Sequence, residues 1–304
     1  MPGCYAAFHK QLGDLVLLEP ALSKLRGSHG GPVRLFTRGG HAPLLELISG
    51  AVFAQDLVAS PSADFYCFDP LRKSAFRAIT SPVLRRHLIV PEVRELRWFH
   101  PWIFRRAPSP EIGDSYVAEF FWNLTPVPSD ALFRPPCLER PPDSWAPPNI
   151  ARNSFFLINA TSGWRMKMWT PSAWAAVIAG LDGDVPCLLT NGGHAWQSDH
   201  CQKIIELAGG PARILPSTMR EFLWLCANAR AVLTVDGAAS HLAAAFGTPV
   251  LTLFGPTNIN NWHRPGSRNI ALLAPDTGGE KRHLRDLAPA DVLAAVRPLL
   301  ADER

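Results

Sequence analysis

Between residues 155 and 254, short apolar runs alternate with amphipathic stretches, and no other feature of the sequence restricts the fold as much. Phe155 to Asn159, Pro186 to Thr190, Ala212 to Leu215, Ala231 to Val235 and Val250 to Phe254 read as strands. Helices are expected at Pro171 to Leu181, Gln197 to Ala208, from Thr218 to about Ala227, and at Ala238 to Phe246. Thr218 with Glu221 makes a capping box, and Gly247 stops the last helix. Strands that alternate with helices imply a parallel sheet with crossover helices, whose ligands bind beyond the carboxyl ends of the strands. The residues that carry chemistry should therefore lie in the strand-to-helix turns.

The chain has 304 residues, room for two domains of this kind. Their boundary is expected in RPPCLERPPDSWAPPN, Arg134 to Asn149, because prolines at this density enforce an extended, semi-rigid path. The expected division is a first domain over 1–134, a linker over 135–149 and a second domain over 150–304, whose last helix could pack back on the first. In the first half, Cys4 to Phe8 reads as a strand. A helix carrying Leu15, Leu18, Leu22 and Leu25 follows, then a strand at Val33 to Thr37 and a helical stretch near Ala42 to Ile48. From about Ser60 to Phe133 the pattern gives no clear boundaries. With 18% charged residues and a net charge of +4, the chain is globular and lacks the dense basic stripe of a nucleic-acid binder. No apolar run reaches the ~20 residues of a membrane span and Met1 to Lys10 is unlike a signal peptide, so a cytoplasmic protein is expected. Six scattered cysteines with no C-x-x-C pair read as reduced thiols, not as zinc ligands or disulfides.

Three turns can carry chemistry. In Asp236-Gly237-Ala238-Ala239-Ser240-His241, small residues at a helix start let a phosphate approach unpaired N–H groups where the helix dipole is positive. A plain helix cap by Asp236 and a packed His241 are the structural alternative. In Thr161-Ser162-Gly163-Trp164-Arg165-Met166-Lys167-Met168-Trp169-Thr170-Pro171, hydroxyls, a glycine and two cations offer a second anion site. Lys167 can offset charge on a departing phosphate, and Thr170 with Pro171 caps the next helix. Gly13-Asp14 follows the first strand, where Asp14 either caps its helix or acts as a general base.

Together these turns resemble the heptosyltransferase family, glycosyltransferase family nine. Leu12-Gly-Asp-Leu-Val-Leu-Leu-Glu-Pro-Ala-Leu22, Lys167-Met-Trp169, and Asp236 to His241 with Gly247-Thr-Pro249 and Phe254-Gly-Pro-Thr257 carry the likeness. The resemblance implies an α/β GT-B fold, with two Rossmann-like domains facing a central cleft. It implies an inverting, metal-independent transfer of a sugar, such as heptose from an ADP-linked donor, to an acceptor hydroxyl such as one on a lipopolysaccharide core. Asp14 becomes the base, Lys167 a diphosphate contact, and Asp236 with the amides after it part of the donor site. Gly13, Thr161, Ser162, Asn191, Gly192, Gly237, Ala238 and His241 complete the donor residues. No cofactor beyond the nucleotide-sugar substrate is implied, and a glycan or glycolipid acceptor is the expected partner.

The sequence departs from the family pattern at several positions. Gly237-Ala238 stands where relatives have Ser or Thr followed by Gly, Ala160-Thr161-Ser162 replaces Pro-Gly-Ala, and Thr170 replaces Pro. Asn191-Gly-Gly-His-Ala-Trp-Gln-Ser-Asp199 lacks an evident acid for the donor ribose, with Asp199 as a substitute. Asp182-Gly-Asp184 matches a metal-binding pair of another glycosyltransferase architecture but reads as a turn. From Arg72 to Arg106 there are nine Lys or Arg and two acids, a local balance of +7, with Trp98, Phe99, Trp102, Ile103 and Phe104 interleaved. The bland reading is a solvated basic face; the sharper one is contact with an anionic acceptor or with the inner membrane surface that displays it. A nucleotide-sugar epimerase of the same architecture and a non-catalytic nucleotide-sugar-binding protein remain as alternatives.

Overall fold

The structure is a computed structural model that describes residues 4–55, 63–80, 85–89, 100–106, 111–181, 185–210 and 212–301. It divides into two compact units, Met1–Glu139 and Arg140–Arg304, so the division falls inside the proline-rich tract.

The first unit contains β1 (Cys4–Ala7), α1 (Leu12–His29), β2 (Val33–Phe36), α2 (Ala42–Leu45) and β3 (Ala51–Phe53). It continues with β4 (Asp64–Cys67), α3 (Arg72–Thr80), β5 (Arg85–Leu88), α4 (His100–Ile103), β6 (Arg105–Arg106) and α5 (Val117–Leu124). Its sheet runs β3-β2-β1-β4-β5-β6, with every pairing parallel. The expected α1 leucines, Leu15, Leu18, Leu22 and Leu25, are all buried. The basic run is partly a strand: Arg85 and His87 on β5 meet Asp64 on the adjacent β4 at 2.8 and 3.2 Å.

The second unit contains β7 (Phe156–Asn159), α6 (Pro171–Gly180), β8 (Cys187–Thr190), α7 (Ala195–Ala208), β9 (Arg213–Ile214) and α8 (Met219–Asn228). Then come β10 (Ala231–Val235), α9 (Ala238–Phe246), β11 (Val250–Phe254), α10 (Ile259–Trp262), β12 (Asn269–Leu273) and α11 (Pro289–Ala301). The sheet order is β12-β11-β10-β7-β8-β9, again parallel throughout. The inner strands β10 and β11 are buried along their whole length, as a sheet covered by helices on both faces requires. α9 ends at Gly247 in the left-handed region (φ 71°), a conformation that glycine adopts without the Cβ penalty. α11 packs against α6, and its Arg297 donates to the Gly180 carbonyl.

The proline-rich tract is bonded at both ends. Buried Glu19 accepts two bonds from Arg134, at 2.7 and 3.1 Å, and one from the Cys137 N–H. Further along, Arg140 donates to the Ala227 carbonyl and Asp143 pairs with Arg152. The strand order of each sheet reverses direction once: strands added after β1 go to one side and then, from β4, to the other, and β7 and β10 repeat this. Such a switch point opens a crevice at the strands' carboxyl ends, the standard ligand position in sheets of this type.

Candidate active site

At the switch point of the second unit, the turn after β7 meets the turn after β10. Trp169 anchors the first turn; it is buried and packs edge-on against Trp174 of α6 at 5.3 Å between centroids. Thr170 caps α6 by accepting from the Ala173 N–H, with Pro171 in the first position, so both hold the places the sequence predicted. Two residues before Trp169, Lys167 reaches across to Asp236, with Nζ 2.6 Å from Oδ2. The same oxygen accepts a bond from the Thr257 hydroxyl at 2.8 Å. Asp236 is thus a buried acceptor that fixes one cation and one hydroxyl. A carboxylate in that position would repel a phosphate, so its part in an anion site is to aim Lys167.

α9 begins immediately after Asp236. Its N-cap is Gly237, which brings no side chain to the N–H groups of the first turn, and the Ser240 hydroxyl bonds the Gly237 carbonyl instead. The backbone at Gly237 is extended (φ 178°), and a Cβ there would meet only the Val235 carbonyl, at 3.7 Å. The Ser or Thr of relatives would therefore fit, and glycine here leaves the amides uncapped and open to an anion. His241, in the second turn, is buried beside Trp262. Burial pushes its imidazole down to about 4, against the pull of Asp236 and with Lys167 and His263 adding to the effect. His241 is accordingly neutral near pH 7.

The other predicted donor residues occupy the rim. Thr161 is buried just after β7, and the Ser162 carbonyl accepts from Gln197 Nε2 at 3.1 Å, which ties this turn to α7. Asn191 folds back on its own turn, accepting from the Gly193 N–H at 2.8 Å, and Gly192 is exposed. Asp199 is an exposed residue within α7, not part of the turn. Trp262 and Gln197 carry no sequence signal, nor does the bond from Thr257 to Asp236. An aromatic or amide in a turn stays inconspicuous until the fold supplies its neighbours.

Gly13 and Asp14 lie in the first unit, at the start of α1 after β1. Asp14 makes the expected cap, its Oδ2 accepting from the Gln11 N–H at 3.1 Å. The switch point there is lined by a polar network that no motif announces. The Asp69 carboxylate accepts from the His9 N–H at 2.6 Å, from Ser74 at 2.9 Å and from the Leu71 N–H at 2.8 Å. His9 Nδ1 is 2.7 Å from the Ser74 hydroxyl, and Arg38 Nε donates to the His9 carbonyl at 2.7 Å. Burial pushes His9 down to about 4, helped by the charges of Lys73, Arg77 and Arg38. Burial also raises the Asp69 carboxyl, against the bonds it accepts. The β1–α1 turn that carries Asp14 is thereby held from two sides.

Among the described residues, no group of three or more His, Cys, Asp or Glu is placed to hold a metal ion. Asp182 and Asp184 lie outside the described residues. No helix among the described residues is long and apolar enough to cross a membrane.

Two parallel six-stranded sheets of this order define the GT-B class of α/β proteins. The fold matches a glycosyltransferase family 9 structure from Veillonella parvula with a TM-score of 0.79 at 14% identity, over 99% of this chain and 98% of that one. It also matches the Escherichia coli heptosyltransferase WaaC with ADP-2-deoxy-2-fluoro heptose, with a TM-score of 0.71 at 16% identity over 97% and 99% of the two chains. Residues 139–287 match the model of glycosyltransferase family 9 (heptosyltransferase). Lipopolysaccharide heptosyltransferase 3 of Escherichia coli is 30% identical over 212 residues, which cover 62% of this chain and 61% of that relative.

Proposed function

We infer that the protein is a glycosyltransferase that moves a sugar, a heptose from an ADP-linked donor, onto a hydroxyl of a lipopolysaccharide core or related glycan. The observation that carries this reading is the Lys167–Asp236 pair at the β7/β10 switch point, beside the uncapped amides of α9. A nucleoside diphosphate leaving group needs positive charge and oriented N–H donors where its negative charge develops, and this turn provides both. Asp14 takes the proton from the acceptor hydroxyl as the oxygen attacks the anomeric carbon. The bond to the diphosphate breaks in the same displacement, so the anomeric configuration inverts and no covalent sugar–enzyme intermediate forms. Lys167 and the α9 amides carry the leaving-group charge without a metal ion.

On the acceptor side, the first unit offers an apolar and basic surface. Phe76 and Ile79 on α3 and Trp102 on α4 are exposed, Trp102 to 85%, and Lys73 and Arg77 share α3 with the first two. Such a surface suits the inner membrane face, where it would hold the enzyme next to a glycolipid. Arg97 lies outside the described residues, as do the side chains of Arg105 and Arg106.

The test is incubation with a panel of nucleotide sugars and a crude glycolipid extract, read by mass spectrometry. An acceptor mass increased by one sugar, formed only when both substrates are present, is expected. Conversion of the donor without acceptor would replace this reading with the epimerase.

A further inference from the structure

The turn after β12 has no motif to mark it, yet it joins the same end of the second unit. Its base is tied down by Arg282, which donates to the Ala274 carbonyl at 2.8 Å and to Asp276 at 3.1 Å. Its far end runs against Gly255, where a Cβ would sit 3.4 Å from the Leu284 nitrogen and 3.3 Å from that residue's Cγ. Leu284 is itself buried in the core of the unit. Gly255 is therefore the residue that lets this segment close onto the Gly255-Pro-Thr257 turn, whose threonine bonds Asp236. The turn is consequently fixed with respect to the anion site.

Lys281 projects from this fixed turn. Its Nζ lies 5.9 Å from the centroid of the Trp164 ring, and Lys167 Nζ lies 5.8 Å from the same centroid. One half-exposed indole thus gathers two ammonium groups from turns more than a hundred residues apart. Their charges differ in effect. Lys167 shares its charge with Asp236 at 2.6 Å, so only part of it is open to a ligand. Lys281 has no carboxylate partner among the described residues and is exposed, so its charge is available. Two cations around one ring also repel each other, and an anion shared between them would turn that repulsion into binding.

We propose that Lys281 is a second diphosphate-binding residue, adding to the positive charge that Lys167 supplies and Asp236 partly offsets, with Trp164 holding both ammonium groups towards the phosphates. This rests on the nucleotide-donor reading of the site. The reach of a lysine at the rim of the turn suits the outer phosphate, not the nucleoside.

The test is calorimetric titration of the full chain with ADP, UDP, GDP and CDP, and with the monophosphate of whichever binds best. Lys281→Gln should weaken the diphosphate about five- to tenfold, the scale of one charge-assisted contact at a solvated rim, and Lys281→Arg should restore most of the loss. Monophosphate affinity should stay within about twofold, since the lost contact is to the outer phosphate. An unchanged diphosphate affinity in Lys281→Gln, or an equal loss for the monophosphate, overturns the assignment. Wild-type protein that binds none of the four diphosphates overturns the donor reading itself, and Lys281 with it. A wild type that binds while Lys281→Gln is indistinguishable from it removes Lys281 alone.

Discussion

The two units repeat one strand order but equip its switch point in different ways. In the second unit, the β7 and β10 turns meet through a cation, a carboxylate and a helix start without a side-chain cap. In the first unit, the β1 and β4 turns meet through a closed network of His9, Asp69 and Ser74, whose polar groups bond one another. An open switch point leaves its helix amides available to a ligand's charge. A closed one uses its polar groups to hold a neighbouring turn in place, here the one that carries Asp14. On the proposed function, one strand order serves once as a binding site and once as a mount, and point variants separate those two roles.

Asp14→Asn should have the largest effect. Loss of the general base should lower turnover by about a hundredfold to ten-thousandfold, measured as acceptor glycosylation at saturating donor. Turnover that survives intact would remove Asp14 from the chemistry and leave it as a helix cap. Lys167→Ala comes next. It removes a charged contact and strands Asp236 in a buried position, so donor affinity should fall about ten- to a hundredfold.

A third variant addresses the anchor of the open site. Trp169→Ala deletes a buried indole, which should cost about 3–5 kcal/mol of stability in a denaturant melt and weaken nucleotide binding by releasing Lys167. A destabilised protein with undiminished affinity would show that Trp169 does not position the turn. On the first unit, joint replacement of Phe76, Ile79 and Trp102 by serine should reduce sedimentation with anionic vesicles several-fold while leaving ADP binding unchanged. Equal vesicle binding would confine that face to solvent.

The smallest effect is on pH dependence. His9, His41 and His241 are each pushed from 6.5 to about 4, chiefly by burial. The unfolded chain takes up these protons near pH 6.5, but the folded chain does so only near pH 4. Their contribution to stability is therefore complete above about pH 6.5 and is lost as the pH falls towards 4. A Tm that declines across this window is expected, and His241→Asn should reduce the slope. A flat Tm between about pH 6.5 and pH 4.5 would contradict the assignment of these histidines as buried and neutral.

The open site is legible in the sequence and the closed one is not, for a physical reason. Lys167, Thr170 and Asp236 each sit within a few residues of a strong strand or helix signal, so local pattern alone places their turns. The strands and helices from residue 155 to 254 lie within one or two residues of the expected bounds, with β9 shorter. His9, Arg38, Asp69 and Ser74 are spread over 65 residues and meet only because β1, β2 and β4 lie side by side. The strands that bring them together are four residues long, and β4 begins with a buried aspartate where a strand pattern calls for an apolar residue. β5 is Arg-Arg-His-Leu, which reads as a solvated basic stretch until Asp64 lies beside it. β12 and the turn with Lys281 are equally hidden, because nothing local marks a residue whose partner is Trp164.

On the proposed function, the second unit grips the nucleotide diphosphate through Lys167, while Asp14 in the first unit serves the chemistry alone. Titration of ADP into the wild type, Asp14→Asn and Lys167→Ala under one set of conditions separates these two roles. Equal affinities are expected for the wild type and Asp14→Asn, and a loss of about tenfold or more for Lys167→Ala. Undiminished binding by Lys167→Ala, or an equally large loss in Asp14→Asn, would contradict it.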